Sequence, residues 1–153
     1  MFKDYVSVQS EDFAIAELTE QVRAEDASNG AIVTFTGIVR ELSDKEGLLA
    51  MYLEHYPGMT EKALEKIASQ ARERWPLGNI VIVHRIGELA LNDNIVFVGV
   101  GSAHRVAAFA AAQFIMDYLK RDAPFWKKEI TAEGETWVEA KSTDLDAADA
   151  WDQ

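Results

Sequence analysis

The chain is organised around one stretch, which reads Gly99-Val100-Gly101-Ser102-Ala103-His104-Arg105, continues as an apolar run, and ends Lys120-Arg121-Asp122-Ala123-Pro124-Phe125-Trp126-Lys127-Lys128-Glu129. The stretch predicts a glycine-bearing strand end, a long helix with basic residues at both ends, and a corner at Pro124. From position 104 to 128 there are five Lys or Arg and two acids, whereas the whole chain has a net charge of −11. A cationic region in an acidic protein indicates a site for an anion.

The composition limits the functions that the chain can have. Its 153 residues fit a single domain with its own core. The negative net charge disfavours general nucleic-acid binding, which needs a basic surface. The absence of cysteine excludes disulfides, thiolate metal sites and sulfur carried covalently on this chain. Because we find neither a targeting segment at the N-terminus nor an apolar run of roughly 20 residues, we expect the cytoplasm.

The hydrophobic pattern predicts the order strand-helix, strand-strand-helix, strand-strand-helix, hairpin. We expect the three helices to be capped by Ser10, Thr60 and Ser102. This order indicates an α+β single domain with a mostly antiparallel or mixed sheet, three main helices and a C-terminal hairpin. The third helix is apolar nearly all round, so we expect burial on several sides, in part by another subunit. We assign residues 1–141 to a single catalytic domain and 142–153 to an acidic tail, loosely held apart from Trp151.

His104 and Arg105 are the first candidate site residues, because they fall in the first turn of the third helix. The free backbone N–H groups and the positive helix dipole favour an anion there, and phosphate is the natural occupant. Gly99 and Gly101 would let the backbone approach a ligand closely. The alternative is that the glycines relieve crowding and that both basic residues face solvent.

Lys120, Lys127, Lys128 and Glu129 form a second group of candidates, at the far end of the same helix. In a strand, Lys127 and Glu129 share a face while Lys128 points away. A lysine beside another cation and an aromatic wall is a candidate nucleophile or proton donor. The alternatives are helix stabilisation for Lys120 and a solvated charge pair on a hairpin for the others.

Arg40 is a third candidate, because it ends a strand that is otherwise free of charge. It could clamp a phosphate with two hydrogen bonds, or it could pair with Glu41 on the surface. His55 and His84 lie in predicted strands without ligand-type neighbours, so we interpret both as structural. No metal-binding spacing is present, and we expect neither a metal nor a cofactor.

Four motifs together resemble the catalytic (large) subunit of molybdopterin synthase, and the likeness runs over essentially the whole chain. They are Phe35-Thr36-Gly37-Ile38-Val39-Arg40, Ser102-Ala103-His104-Arg105, Asp117-Tyr118-Leu119-Lys120 and Ala123-Pro124-Phe125-Trp126-Lys127-Lys128-Glu129, with Leu53-Glu54-His55-Tyr56-Pro57-Gly58-Met59 before the second helix.

The resemblance implies an α/β hammerhead fold and a homodimer at the core of a heterotetramer. A small ubiquitin-like sulfur-carrier subunit would bind at each end and insert its C-terminal Gly-Gly tail, activated as a thiocarboxylate. The implied reaction is a sulfurtransferase step of molybdenum cofactor biosynthesis. Sulfur passes to cyclic pyranopterin monophosphate, and two rounds build the dithiolene of molybdopterin.

The resemblance also implies roles for individual residues. Lys120 and Lys127 look like the two catalytic lysines. Arg40, His104 and Arg105 look like contacts of the pterin phosphate, with Ile38 and Val39 beside them, and Lys128 and Glu129 complete the substrate-binding set. The third helix should be about 25 Å long, so its two ends cannot line one small pocket. We therefore expect a shared active site, in which His104 and Arg105 of one subunit face Lys120 and Lys127 of the other.

The competing interpretation is a binding module. A non-catalytic adaptor that grips a ubiquitin-like C-terminal tail or a phosphorylated metabolite would need the same cationic region. Formation of the dithiolene from a thiocarboxylated carrier and the cyclic pterin would distinguish the two.

Overall fold

The computed structural model describes residues 2–41, 47–138 and 142–152. Its helices and strands follow in the order β1 (Asp4–Gln9), α1 (Ile15–Arg23), β2 (Ala31–Ile38), β3 (Leu48–His55), α2 (Met59–Arg74), β4 (Leu77–Arg85), β5 (Gly87–Ala90), β6 (Asn94–Ser102), α3 (Arg105–Asp122), β7 (Phe125–Thr131), β8 (Gly134–Val138) and α4 (Ser142–Asp149), with a short 3-10 helix at Ala150–Asp152.

The first sheet has four strands in the order β1-β4-β6-β2, and helices cover both of its faces. The pairing of β1 with β4 is parallel, and the other pairings are antiparallel. Eight of the nine residues of β4 are buried, because alternate side chains face different helices. Ile80 and Ile82 pack with α2 and α3, whereas Val81 and Val83 pack with Val22 of α1.

The second sheet has the order β5-β3-β7-β8, with antiparallel pairing throughout. A separate apolar cluster lies on it, formed by Val39, Leu48, Met51, Leu53 and Leu89. Gly87 has a φ of +85°, which an L side chain rarely adopts. This glycine lets the chain turn out of β4 and directly into β5, a strand that the sequence pattern did not predict.

The predicted α+β class, the three main helices and the C-terminal hairpin are confirmed. The difference is that the strands form two four-stranded sheets instead of one. Hydrophobic periodicity reports which residues are buried but not which strands pair, so it could not separate the two sheets.

The three predicted helix caps are wrong, because the helices begin at other residues. Ser10 accepts hydrogen bonds from Arg85 through its carbonyl, and α1 begins only at Ile15. Ser102 ends β6, and its hydroxyl donates to the carbonyl of Pro76 at 3.0 Å, while α3 begins at Arg105. Thr60 is buried within α2 and donates to the carbonyl of Pro124 at 3.1 Å.

The acidic tail is more ordered than expected, because it contains α4 and packs on α3. Ala148 is fully buried, and Arg121 donates to the carboxylates of Asp149 and Asp152 at 2.9 and 3.0 Å. The predicted boundary between domain and tail adjoins residues 139–141, which lie outside the described residues.

Candidate functional site

A cavity of about 370 Å³ lies where the second sheet meets the C-terminal end of α3. This volume falls in the range of small-molecule binding sites. Its floor is apolar, with Val39, Leu48, Met51, Leu53 and Leu119. The charged residues that line it come from several parts of the chain. They are Arg40, Lys120, Lys127, Glu129 and Asp144.

Three cations converge on this cavity although they are far apart in the sequence. Arg40 follows β2, Lys120 lies in the last turn of α3, and Lys127 lies in β7. Pro124 ends α3 by preventing its continuation, and the Thr60 hydroxyl holds the carbonyl of Pro124. The corner between α3 and β7 therefore brings Lys120 and Lys127 to the same cavity, where two ammonium groups can bind an anionic group.

The alternation of side chains along β7 separates the predicted residues into two sets. Phe125, Lys127 and Glu129 line the cavity, as expected for alternate positions of a strand. Lys128 lies on the opposite face, where its Nζ is 3.1 Å from a carboxylate oxygen of Glu135.

The ammonium of Lys128 is also held by two aromatic rings. Its Nζ lies 5.0 Å from the ring centroid of Tyr52 and 5.3 Å from that of Trp137. Cation–π contacts at such distances stabilise an ammonium without a ligand. The structure therefore does not bring Lys128 together with Lys127 and Lys120.

Ile38, Val39 and Arg40 line the side of the cavity next to β6. The backbone of Val39 is fixed in both directions, because its N–H donates to Asp93 at 2.9 Å and its carbonyl accepts from Asn92 at 2.8 Å. These bonds hold Arg40 at the cavity. Among the described residues, Arg40 forms no ion pair with Glu41, which leaves its guanidinium available for an anion.

His104 and Arg105 lie at the other end of α3, are both exposed, and do not line the cavity. The 18 residues of α3 correspond to a length of about 27 Å. One chain therefore does not assemble the four residues His104, Arg105, Lys120 and Lys127 around one pocket. The expectation that two subunits share the site stays a prediction.

His84 lines the cavity, and the sequence interpretation of it as purely structural did not place it there. Its side chain is buried in β4, and its ring stacks on Phe125 with centroids 3.8 Å apart. Burial lowers the pKa of His84 to about 4, helped by the positive charge of Lys120 and opposed by the hydrogen bond to Arg85. A histidine directly after the apolar run Ile80-Val81-Ile82-Val83 was the signal that could have found it.

Asp144 is a second cavity residue that the sequence did not indicate, because it lies in the tail. The sequence pattern predicts only a loosely held acidic tail at this position. Its place in the cavity wall follows from the packing of α4 on α3, which a local pattern cannot predict.

The glycines of β6 relieve crowding. A Cβ atom on Gly99 would lie 2.4 Å from Cγ2 of Val22, which is shorter than any ordinary contact. A Cβ atom on Gly101 would lie 3.1 Å from the side-chain nitrogen of Asn29. The alternative interpretation of these glycines is the one that the structure supports.

Across residues 2–41, 47–138 and 142–152, no three His, Asp or Glu side chains are grouped in a way that could hold a metal ion. No helix in these ranges is both long and apolar enough to cross a membrane.

Comparison with protein families and known proteins gives a consistent result. The model of a family described as MoaE protein matches residues 8–122. A molybdopterin synthase catalytic subunit of Escherichia coli is 60% identical over 128 residues, which cover 84% of this chain and 85% of that protein. A molybdopterin synthase catalytic subunit of Vibrio cholerae is 52% identical over 147 residues, which cover 96% and 97% of the two chains.

Solved structures show the same similarity in three dimensions. A molybdopterin biosynthesis MoaE protein from Burkholderia ambifaria superposes with a TM-score of 0.83 at 49% identity, covering 97% of this chain and 98% of that chain. The described cavity therefore belongs to a fold that solved structures share over nearly the entire chain.

Proposed function

The chain belongs to the MoaE family of molybdopterin synthase catalytic subunits, and we propose that it moves sulfur from a carrier thiocarboxylate to cyclic pyranopterin monophosphate. The observation that carries this proposal is the convergence of Arg40, Lys120 and Lys127 on one cavity. Both the carrier terminus and the phosphorylated pterin are anions, and both need cationic partners.

The proposed partner is a small ubiquitin-like subunit with a C-terminal Gly-Gly thiocarboxylate. Two observations support it. The chain has no cysteine, so the sulfur has to arrive on another molecule. The relatives are named catalytic subunits, a term that implies a second subunit. We place two such carriers on a central homodimer of this chain.

In the proposed reaction the carrier sulfur attacks a side-chain carbon of the pterin. A carbon–sulfur bond forms as a carbon–oxygen bond breaks, and the departing oxygen keeps the electron pair. Water then cleaves the resulting thioester, which leaves the sulfur on the pterin and returns the carrier as a carboxylate. A second round completes the dithiolene.

We assign the two lysines to different steps of this reaction. Lys120 aligns the carboxyl-sulfur group of the carrier, and Lys127 protonates or stabilises the departing oxygen. Preorganised ammonium groups in a partly enclosed cavity stabilise such developing charge more strongly than water does. Arg40, with His104 and Arg105 of a second subunit, would hold the phosphate, while Glu129 borders the pterin.

The test compares Lys120→Ala and Lys127→Ala with Lys66→Ala, an exposed lysine of α2 that serves as the charge-matched control. Thiocarboxylated carrier and cyclic pterin are supplied, and dithiolene formation and carrier binding are measured. We expect each cavity variant to lose at least about 100-fold in turnover while carrier binding stays largely intact. The control should behave as wild type.

Two results would count against the proposal. Full turnover by both cavity variants would remove the lysines from the mechanism. If wild type bound the carrier but left the sulfur on it, the chain would be an adaptor.

A further inference from the structure

His84 is unusual among the buried polar side chains of the described residues. These are Thr60, Asn79, His84 and Ser102, and only His84 can carry a charge. The other three have structural partners, since they bond to backbone groups of neighbouring segments. His84 alone among the four also lines the cavity.

The tautomer of His84 follows from its backbone partner. Its Nδ1 lies 2.8 Å from the carbonyl oxygen of Arg85, and a carbonyl oxygen can only accept. Nδ1 therefore carries the hydrogen, and Nε2 carries the lone pair. Burial lowers the pKa of the ring to about 4, so at neutral pH the ring is uncharged and Nε2 remains an acceptor.

The ring has little freedom to move. It stacks on Phe125 at an interplanar angle of 19°, and the bond to the Arg85 carbonyl fixes its rotation. Because Nδ1 is directed to the backbone, Nε2 is the nitrogen that can accept a hydrogen bond from a group in the cavity.

The cavity contains a donor for this acceptor. Lys120 and His84 line it together, and the positive charge of Lys120 is close enough to lower the pKa of His84. The other charged groups around the cavity are Arg40, Lys127, Glu129 and Asp144, and Arg85 lies next to His84 in β4.

We propose that His84 is a positioning residue of this site, whose Nε2 accepts a hydrogen bond from the Lys120 ammonium and fixes where that ammonium stands. Lysine has a flexible stem and three donors. A donor held by a fixed ring gives the end of this flexible stem a defined position at the cavity. This inference rests on the proposed function, because it assigns the held ammonium to the sulfur-carrying terminus.

Three substitutions at position 84 separate positioning from packing. His84→Phe keeps the aromatic stack but has no acceptor. His84→Gln can place an amide oxygen near the position of Nε2, whereas His84→Asn can only replace Nδ1. If His84 positions Lys120, turnover should fall about 10- to 100-fold in the Phe and Asn variants, with little change in KM for the carrier. The Gln variant should recover most of the turnover.

A second measurement does not depend on the reaction. Lysine labelled with ¹³C at Cε reports the titration of each ammonium by NMR, with Lys120 assigned through Lys120→Arg. A hydrogen bond to Nε2 favours the charged lysine. We therefore expect the pKa of Lys120 to fall in the Phe and Asn variants relative to wild type, and to return towards wild type in the Gln variant.

The outcomes distinguish the two proposals. Wild-type turnover with an unchanged Lys120 titration in His84→Phe would overturn the role of His84. Equal losses in all three variants, in proportion to lost stability, would also overturn it, because that pattern indicates packing alone. If wild type itself formed no dithiolene, the proposed function would fail, while the titration would still decide whether His84 holds Lys120.

Discussion

At the scale of single residues, the burial of His84 makes the free energy of unfolding depend on pH. Its pKa of about 4 in the folded protein lies below the value of 6.5 for a free histidine. Between these two values the unfolded chain binds a proton that the folded chain does not, so the free energy of unfolding falls as the pH drops. The stabilisation is fully present above pH 6.5 and is lost as the pH falls towards 4.

This difference predicts a measurable dependence of stability on pH. We expect the contribution of His84 to the free energy of unfolding to decrease by about 3 kcal/mol between pH 7 and pH 4. The wild type and His84→Phe should differ in slope over this window in urea denaturation, with the flatter profile in the variant. His104→Gln, at an exposed histidine, is the control and should keep the wild-type slope. Parallel profiles for wild type and His84→Phe would contradict the prediction.

At the scale of secondary-structure elements, α3 connects the cavity to the C-terminal segment. Its last turns carry Lys120 and also contact the C-terminal segment. The indole nitrogen of Trp151 donates to Asp117 at 2.7 Å, and its ring packs edge-on against Phe114 and Trp75. The hydroxyl of Tyr118 donates to Asp152.

These contacts predict that Trp151 holds the tail in place. Trp151→Ala removes the hydrogen bond of the indole N–H and two aromatic contacts. We expect it to lower the free energy of unfolding by about 2–3 kcal/mol, less than the loss of a fully buried tryptophan would. Amide hydrogen exchange over α4 should accelerate, because Trp151 is one of the groups that hold the C-terminal segment against α3.

Trp137→Ala is the matched control for this experiment, because Trp137 is exposed on β8. It should cost less than about 1 kcal/mol, the typical value of an exposed cation–π contact. Unchanged exchange over α4 in Trp151→Ala would show that the tail is held by other contacts.

At the scale of the whole molecule, the fold places His104 and Arg105 far from the cavity of the same chain. They lie a helix length away from Lys120. The exposed apolar residues beside them, Val106 at 74% and Phe109 at 63%, agree with a helix that a second subunit partly buries. Exposed apolar side chains grouped on one helix are typical of an interface between subunits.

A mixing experiment tests the shared site. Arg105→Ala and Lys127→Ala are each expected to be inactive, but in a mixed dimer one of the two sites would receive both intact residues. After subunit exchange, activity should therefore return to about a quarter of wild type, as two-fold symmetry requires. A mixture of Lys127→Ala with the double variant is the control, since it contains no intact site. Failure to regain activity after confirmed exchange would contradict the shared site.

Sequence by itself determined the local features of this protein. The apolar periodicity, the Pro124 corner and the alternation along β7 depend on residues that are neighbours in the chain. For this reason the helices, the hairpin and the shared face of Lys127 and Glu129 could be predicted. The motifs around Arg40, Lys120 and Lys127 also indicated the family that the comparisons show.

Only the tertiary structure decided the features that depend on residues far apart in the chain. Ser10, Thr60 and Ser102 have the right chemistry for helix caps, but Arg85, Pro124 and Pro76 provide their actual contacts. Strand pairing produced two sheets, because periodicity does not encode partners. His84 and Asp144 line the cavity because β4 and α4 pack against α3 in the folded chain. Burial and long-range packing, which no local pattern contains, placed these two residues in the wall of the cavity that Lys120 also lines.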